Sequence, residues 1–109
     1  MLKETNNNDM KINYEYDDVS ASESLEAFTE EKLQAVFNRF DFVIRADVFF
    51  KTENTSSDQT GMICGIRLSI PGPRLFAESS HDNFRDAVSE TVNEITKQLK
   101  KRKEQMKTF

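Results

Sequence analysis

The stretch from His81 to Lys107 constrains the fold of this chain more than any other part of the sequence. Its apolar residues recur at intervals of three and four, which predicts one long amphipathic helix with a continuous apolar stripe. The residues of this stripe are Phe84, Val88, Thr91, Val92, Ile95, Leu99 and Met106. A helix with one apolar face has to bury that face, so the rest of the chain must supply a core for it.

The charges of this predicted helix are divided along its length. Acids occupy the first half and bases the second, an order that complements the helix dipole. The bases of the second half are Lys97, Lys100, Lys101, Arg102, Lys103 and Lys107. At about 100° per residue, four of them point almost opposite the apolar stripe. We call these four the cationic ridge: Lys97, Lys100, Lys101 and Lys107.

A basic helix end is often no more than a solvated surface. Here the charge contrast favours a binding role. Residues 97–109 contain six basic residues against one acid, whereas residues 1–96 contain nine basic residues against 18 acids. Because the whole chain carries a net charge of −4, positive charge gathered at one end indicates a site for an anionic partner.

Length and composition favour one small domain of the cytoplasm. The chain has 109 residues, and its apolar runs fall short of the roughly 20 residues that a membrane span needs. Its start does not resemble a signal peptide, and the single Cys64 excludes an internal disulfide and fits a reducing compartment. We expect residues 1–9 to form a flexible tail and residues 10–107 to form the domain.

Four segments alternate between apolar and polar residues and are predicted to be strands. They are Lys11–Tyr16, Phe42–Glu53, Thr60–Ile70 and Arg74–Glu78. In the two middle strands, one face is predicted to carry Ile44, Ala46, Val48, Phe50, Met62, Cys64, Ile66, Leu68 and Ile70. The short polar loop between these two strands predicts an antiparallel hairpin.

A first helix is predicted between the first two strands. Residues 20–24 supply N-cap candidates, and the helix should end near Asn38 or Phe40. Its apolar arc contains Leu25, Phe28, Leu33, Val36, Phe37 and Phe40. Lys32 projects into this arc and is expected at its rim, because a buried unpaired ammonium is costly. Ser79 or Ser80 is expected to cap the last helix.

The predicted order is therefore β-α-β-β-β-α, an α+β fold with a four-stranded sheet and two helices packed on one face. Alternation turns Phe49, Ile63 and Phe76 towards the other face, with Phe49 and Ile63 near each other. Apolar side chains there indicate a protein contact surface, either for weak self-association or for a neighbour in a larger assembly, or a small exposed patch with no partner.

No constellation of residues indicates catalysis or a cofactor. The only histidine, His81, is expected in the first turn of the last helix, and Cys64 is expected in the core. The spacings typical of zinc, calcium or phosphate-binding loops are absent. The sequence therefore predicts a protein that is not an enzyme and needs no metal.

Three stretches together resemble one known family. They are Ile66–Glu78, with its Pro71-Gly72-Pro73 turn, Phe84–Lys103, and Glu30-Glu31-Lys32-Leu33. Their order and spacing are similar to those of ribosome hibernation-promoting factors, also called ribosomal subunit interface or sigma-54 modulation proteins. The resemblance covers about Lys11 to Lys103 and corresponds to the short form of the family.

The resemblance implies a domain shaped like a double-stranded RNA-binding domain. It implies binding to ribosomal RNA of the small ribosomal subunit, in the mRNA channel near the tRNA sites, and inhibition of translation during starvation. Neither DNA nor a membrane is implied as a partner. By position, the implied RNA contacts are Lys32, Lys97, Lys100, Lys101 and Lys103, with Arg102 ranked lower because it points closer to the apolar stripe.

The sequence also departs from the family. Ala35 and Asn38 stand where relatives commonly have bases, and Arg39 compensates only in part. The loop from Thr55 to Gln59 lacks the bases of some relatives. Fewer phosphate contacts predict weaker, more salt-sensitive binding, and they leave open a divergent paralogue that serves as an RNA-binding or protein-interaction module without commitment to ribosomes.

Overall fold

A computed structural model describes residues 11–54 and 56–106, and the predicted tail at residues 1–9 and Lys107 lie outside them. Six elements follow one another in the predicted order, which confirms the α+β class. They are β1 (Lys11–Asp17), α1 (Glu23–Arg39), β2 (Arg45–Thr52), β3 (Met62–Ser69), β4 (Leu75–His81) and α2 (Phe84–Met106).

The four strands form one sheet in the order β1-β2-β3-β4. β1 runs parallel to β2, and α1 makes the long crossover that a parallel pair requires. β2 and β3 form the expected antiparallel hairpin, and β4 pairs antiparallel with β3.

The core lies between the sheet and the two helices. Val48, Ile66 and Leu68 of the sheet have no exposed surface, and neither do Leu33 of α1 and Ile95 and Leu99 of α2. Two residues expected in the core, Phe28 and Phe84, are only partly buried. Met106 is 39% exposed, so the buried stripe of α2 ends at Leu99.

Two predicted boundaries are wrong, and each error assigns side chains to the wrong environment. Ile44 precedes β2 and is 61% exposed, while its neighbour Val43 is buried in its place. β4 continues to His81, so Ser79 and Ser80 lie in a strand and do not cap α2. The amide of Asp86 instead donates to Oδ1 of Asn83 at 2.8 Å, which makes Asn83 the N-cap.

His81 is therefore a strand residue rather than part of a helix. It pairs with Met62 of β3, and its imidazole contacts the carboxylate of Glu90 on α2.

Ser22, one of the N-cap candidates predicted at residues 20–24, caps α1 by accepting a hydrogen bond from the amide of Leu25 at 3.2 Å. Over the described parts of the chain, neither helix is long and apolar enough to cross a membrane.

Candidate nucleic-acid interface

The cationic ridge lies on the solvent side of α2. Its three described members, Lys97, Lys100 and Lys101, are exposed, whereas Ile95 and Leu99 on the opposite side are fully buried. Lys97 lies 3.5 Å from a carboxylate oxygen of Glu94 on the same helix. Both side chains of this pair are well exposed, so the contact is weak and leaves the ammonium available.

Two more cations meet at the end of α1. The guanidinium of Arg39 lies 5.1 Å from the ring centroid of Phe40, and the ammonium of Lys103 on α2 lies 5.8 Å from the same centroid. A cation over an aromatic face is attracted by the ring quadrupole. Phe40 itself is 2% exposed, so its ring is a fixed platform for both charges.

A second aromatic platform lies nearer the start of both helices. The ammonium of Lys32 lies 5.2 Å from the ring centroid of Phe28, and the guanidinium of Arg85 on α2 lies 4.7 Å from it. Lys32 is partly buried, which agrees with the expected position at the rim of the apolar arc. Each platform thus brings together one cation from each helix.

A shallow groove runs between the two platforms, and we call it the inter-helix groove. Its lining residues are Lys32, Ala35, Val36, Arg39, Phe40, Ser89, Val92, Asn93 and Thr96. Phe28 and Phe40 are twelve residues apart, so the two platforms lie about 18 Å apart along α1. The groove therefore has cations towards both ends and mostly uncharged polar groups on its α2 side.

Arg102 is placed differently from the other candidate contacts. Its guanidinium donates to the carbonyl oxygens of Pro71 and Pro73 at 3.4 and 3.1 Å. It therefore ties α2 to the turn between β3 and β4. Because Nη1 of its guanidinium is engaged by these two carbonyl groups, Arg102 is less available for RNA than the exposed lysines of the ridge.

From the sequence, Arg39 was expected only to compensate in part for the bases absent at Ala35 and Asn38, and Arg85 was not identified. Arg85 belongs to the acidic half of the last helix, and the division of charge along that helix concealed it. Its approach to Phe28 depends on how the two helices pack. The sequence signal that could have identified Arg85 is an arginine directly after a stripe residue, Phe84. In the structure Phe84 is partly buried and Arg85 is exposed.

The predicted contact residues on the other face of the sheet are partly brought together. Phe49 pairs with Gly65 rather than Ile63, so Phe49 and Ile63 are diagonal neighbours. Phe76 is 49% exposed, but Ile63 is only 5% exposed and so offers little surface for a contact. Alternation assigned the face correctly, whereas the burial of Ile63 depends on the surrounding residues.

The chemistry of these sites is electrostatic. Burial raises the pKa of the Cys64 thiol to about 12, so it stays protonated and is a poor nucleophile at neutral pH. Among residues 11–54 and 56–106 no cluster of histidine, cysteine and carboxylate side chains could hold a metal ion. What the helical side presents is a set of exposed lysines on α2 together with the cations over Phe28 and Phe40.

The family model described as sigma 54 modulation protein / S30EA ribosomal protein matches residues 12–107. A curated ribosome hibernation promoting factor of Pseudomonas putida is 26% identical over 100 residues, which cover 92% of this chain and 93% of that relative.

Two solved structures share the fold. A ribosomal subunit interface protein from Coxiella burnetii has a TM-score of 0.71 at 22% identity, covering 86% of this chain and 98% of that one. The N-terminal domain of Protein Y from Thermus thermophilus has a TM-score of 0.70 at 18% identity, covering 84% and 98%.

Proposed function

The chain belongs to the family of sigma 54 modulation proteins and S30EA ribosomal proteins, and from this membership we propose that it is a non-catalytic cytoplasmic factor that keeps ribosomes idle during starvation. It binds the small subunit near the mRNA channel and the tRNA sites. The partner is ribosomal RNA, bound through the helical side of the domain. The observation that carries the proposal is the exposed cationic ridge on an otherwise acidic protein.

The ridge and the inter-helix groove supply complementary parts of this binding surface. Lysines of the ridge act as point charges towards phosphates, and the release of counterions from RNA provides much of the free energy. The cations over Phe28 and Phe40 are held in place by the rings. Pre-ordered side chains lose less conformational entropy on binding, so they contribute more per contact.

A pelleting assay with purified small subunits tests the proposal. The protein should co-sediment at low salt. Its affinity should fall about a hundredfold or more between 50 and 200 mM salt, because each phosphate contact releases counterions and that release contributes less free energy as the salt concentration rises. Messenger RNA and initiator tRNA should compete with it for the subunit. Absence of binding at low salt would contradict the ribosomal assignment.

The same assay separates the proposal from general RNA binding. Ala35 and Asn38 leave α1 with few bases, which would also suit a module that binds RNA duplexes by shape. A free RNA duplex should compete poorly if the small subunit is the specific partner. Equal competition by the duplex would favour the RNA-binding module.

A further inference from the structure

The last two turns of α2 extend beyond the core. Leu99 is the last buried residue of the helix, and α2 continues to Met106, about 10 Å further along its axis. Of residues 100–106, Arg102 alone is partly buried, and the other six are exposed. Most helical stability in proteins comes from packing, so a helix end with few packing contacts unwinds readily. Three of the candidate RNA contacts lie on this end: Lys100, Lys101 and Lys103.

Arg102 joins this end of α2 to the turn between β3 and β4. Its Nη1 donates to the carbonyl oxygens of Pro71 and Pro73, at 3.4 and 3.1 Å. These two residues flank Gly72, so one donor engages both sides of the turn. A Cβ atom at Gly72 would lie 3.2 Å from Nη1 of Arg102. The guanidinium therefore occupies space that a side chain at Gly72 would need.

The turn is a firm anchor for this contact. Each proline fixes its own φ, which leaves the turn few alternative conformations. Gly72 adopts a φ of +94°, which glycine tolerates without strain. Ile70 before the turn and Leu75 after it are both buried, so the two chain segments that lead into the turn are held in the core.

We propose that Arg102 is a positioning residue, which holds the end of α2 against this turn and so keeps Lys100, Lys101 and Lys103 in a fixed arrangement for RNA. A helix fixes the directions of successive side chains only while it stays helical. Lysines on an unwound end would have to be ordered on binding, at a cost in conformational entropy. Lys103 is also held by the ring of Phe40, so Lys100 and Lys101 depend most on Arg102. The RNA part of this proposal rests on the proposed function, whereas the contact with the turn does not.

Amide hydrogen exchange of the free, full chain tests the contact itself. Arg102→Ala should speed the exchange of residues 100–106 about twofold to tenfold, the factor that corresponds to one lost hydrogen bond. Exchange in residues 87–95, in the buried part of α2, should stay unchanged. Lys100→Ala removes the same charge from the same end and is the control, with exchange as in the wild type. Unchanged exchange at residues 100–106 in Arg102→Ala would overturn the proposal.

The salt dependence of binding to small subunits separates positioning from a direct RNA contact. Arg102→Ala should lower the affinity about threefold or more but leave the slope of log affinity against log salt unchanged, because it removes no phosphate contact. Lys100→Ala does remove one and should reduce this slope by about one. A slope reduced by about one in Arg102→Ala would show that the guanidinium binds a phosphate directly, against the proposal.

Gly72→Ala disturbs the same contact without any change of charge. Its added methyl group meets Nη1 of Arg102, so the substitution should lower the affinity about threefold in the wild-type background and have little further effect in Arg102→Ala. Equal losses in both backgrounds would contradict the proposal, because the turn would then act independently of Arg102. Thermal melts confirm that each variant is folded. If the wild type does not pellet with small subunits at low salt, the proposed function fails, and hydrogen exchange alone decides whether Arg102 holds the end of α2.

Discussion

Two phenylalanines contribute both to the apolar arc of α1 and to the proposed RNA-binding surface. Phe28 and Phe40 were predicted from spacing alone as members of the apolar arc of α1. In the structure each ring also supports a pair of cations, one of them from α2. Spacing along one helix could not reveal this, because Arg85 and Lys103 reach the rings only through the packing of the helices.

The two arginines of these platforms provide a residue-scale prediction. The double substitution Arg39→Ala and Arg85→Ala should weaken binding to the small subunit and reduce the slope of log affinity against log salt by about two, one for each lost phosphate contact. A matched control, Lys51→Ala with Arg74→Ala, removes the same charge away from the helices. Equal losses of affinity and slope in both variants would show that only net charge matters.

At the scale of elements, the sequence predicted the helices better than the ends of the strands. Periodicity located the stripe of α2 because its residues alternate between core and solvent over many turns. The start of α2 was misplaced because Ser79 and Ser80 are good caps. Pairing of Ser79 with Cys64 and of Ser80 with Ile63 extends β4 instead. Tertiary pairing overrode a local preference.

Truncating the buried stripe of α2 tests its role in the core. Ile95→Ala and Leu99→Ala should each lower the free energy of unfolding by about 2–5 kcal/mol, because each leaves a cavity against the sheet. Met106→Ala, at the exposed end of the same helix, is the control and should change it by less than about 0.5 kcal/mol. Urea unfolding measures all three, and no loss at Ile95 or Leu99 would mean that the stripe is not the core contact.

At the scale of the whole molecule, the two faces have different electrostatic character. The helical side presents cations, whereas the sheet face turned away from the helices carries charges of both signs around Phe49 and Phe76. The imbalance of charge along the chain predicted the first feature. The second depends on sheet register, which places Arg67 of β3 beside Asp47 of β2 across the hairpin. Alternation assigns a residue to a face but does not identify its neighbour on the next strand.

The proposed binding of the cationic ridge to the ribosome can be tested with one pair of variants. The triple variant Lys97→Glu, Lys100→Glu and Lys101→Glu reverses the ridge without altering the apolar face of α2. A control, Lys11→Glu, Lys51→Glu and Arg74→Glu, makes the same change in net charge on the strands and their turns.

Both variants are first shown by thermal melt to be folded and are then pelleted with small subunits at low salt. The ridge variant should lose binding, while the control should retain most of it because its charges lie away from the helices. A folded ridge variant that pellets as well as the wild type would contradict the claim.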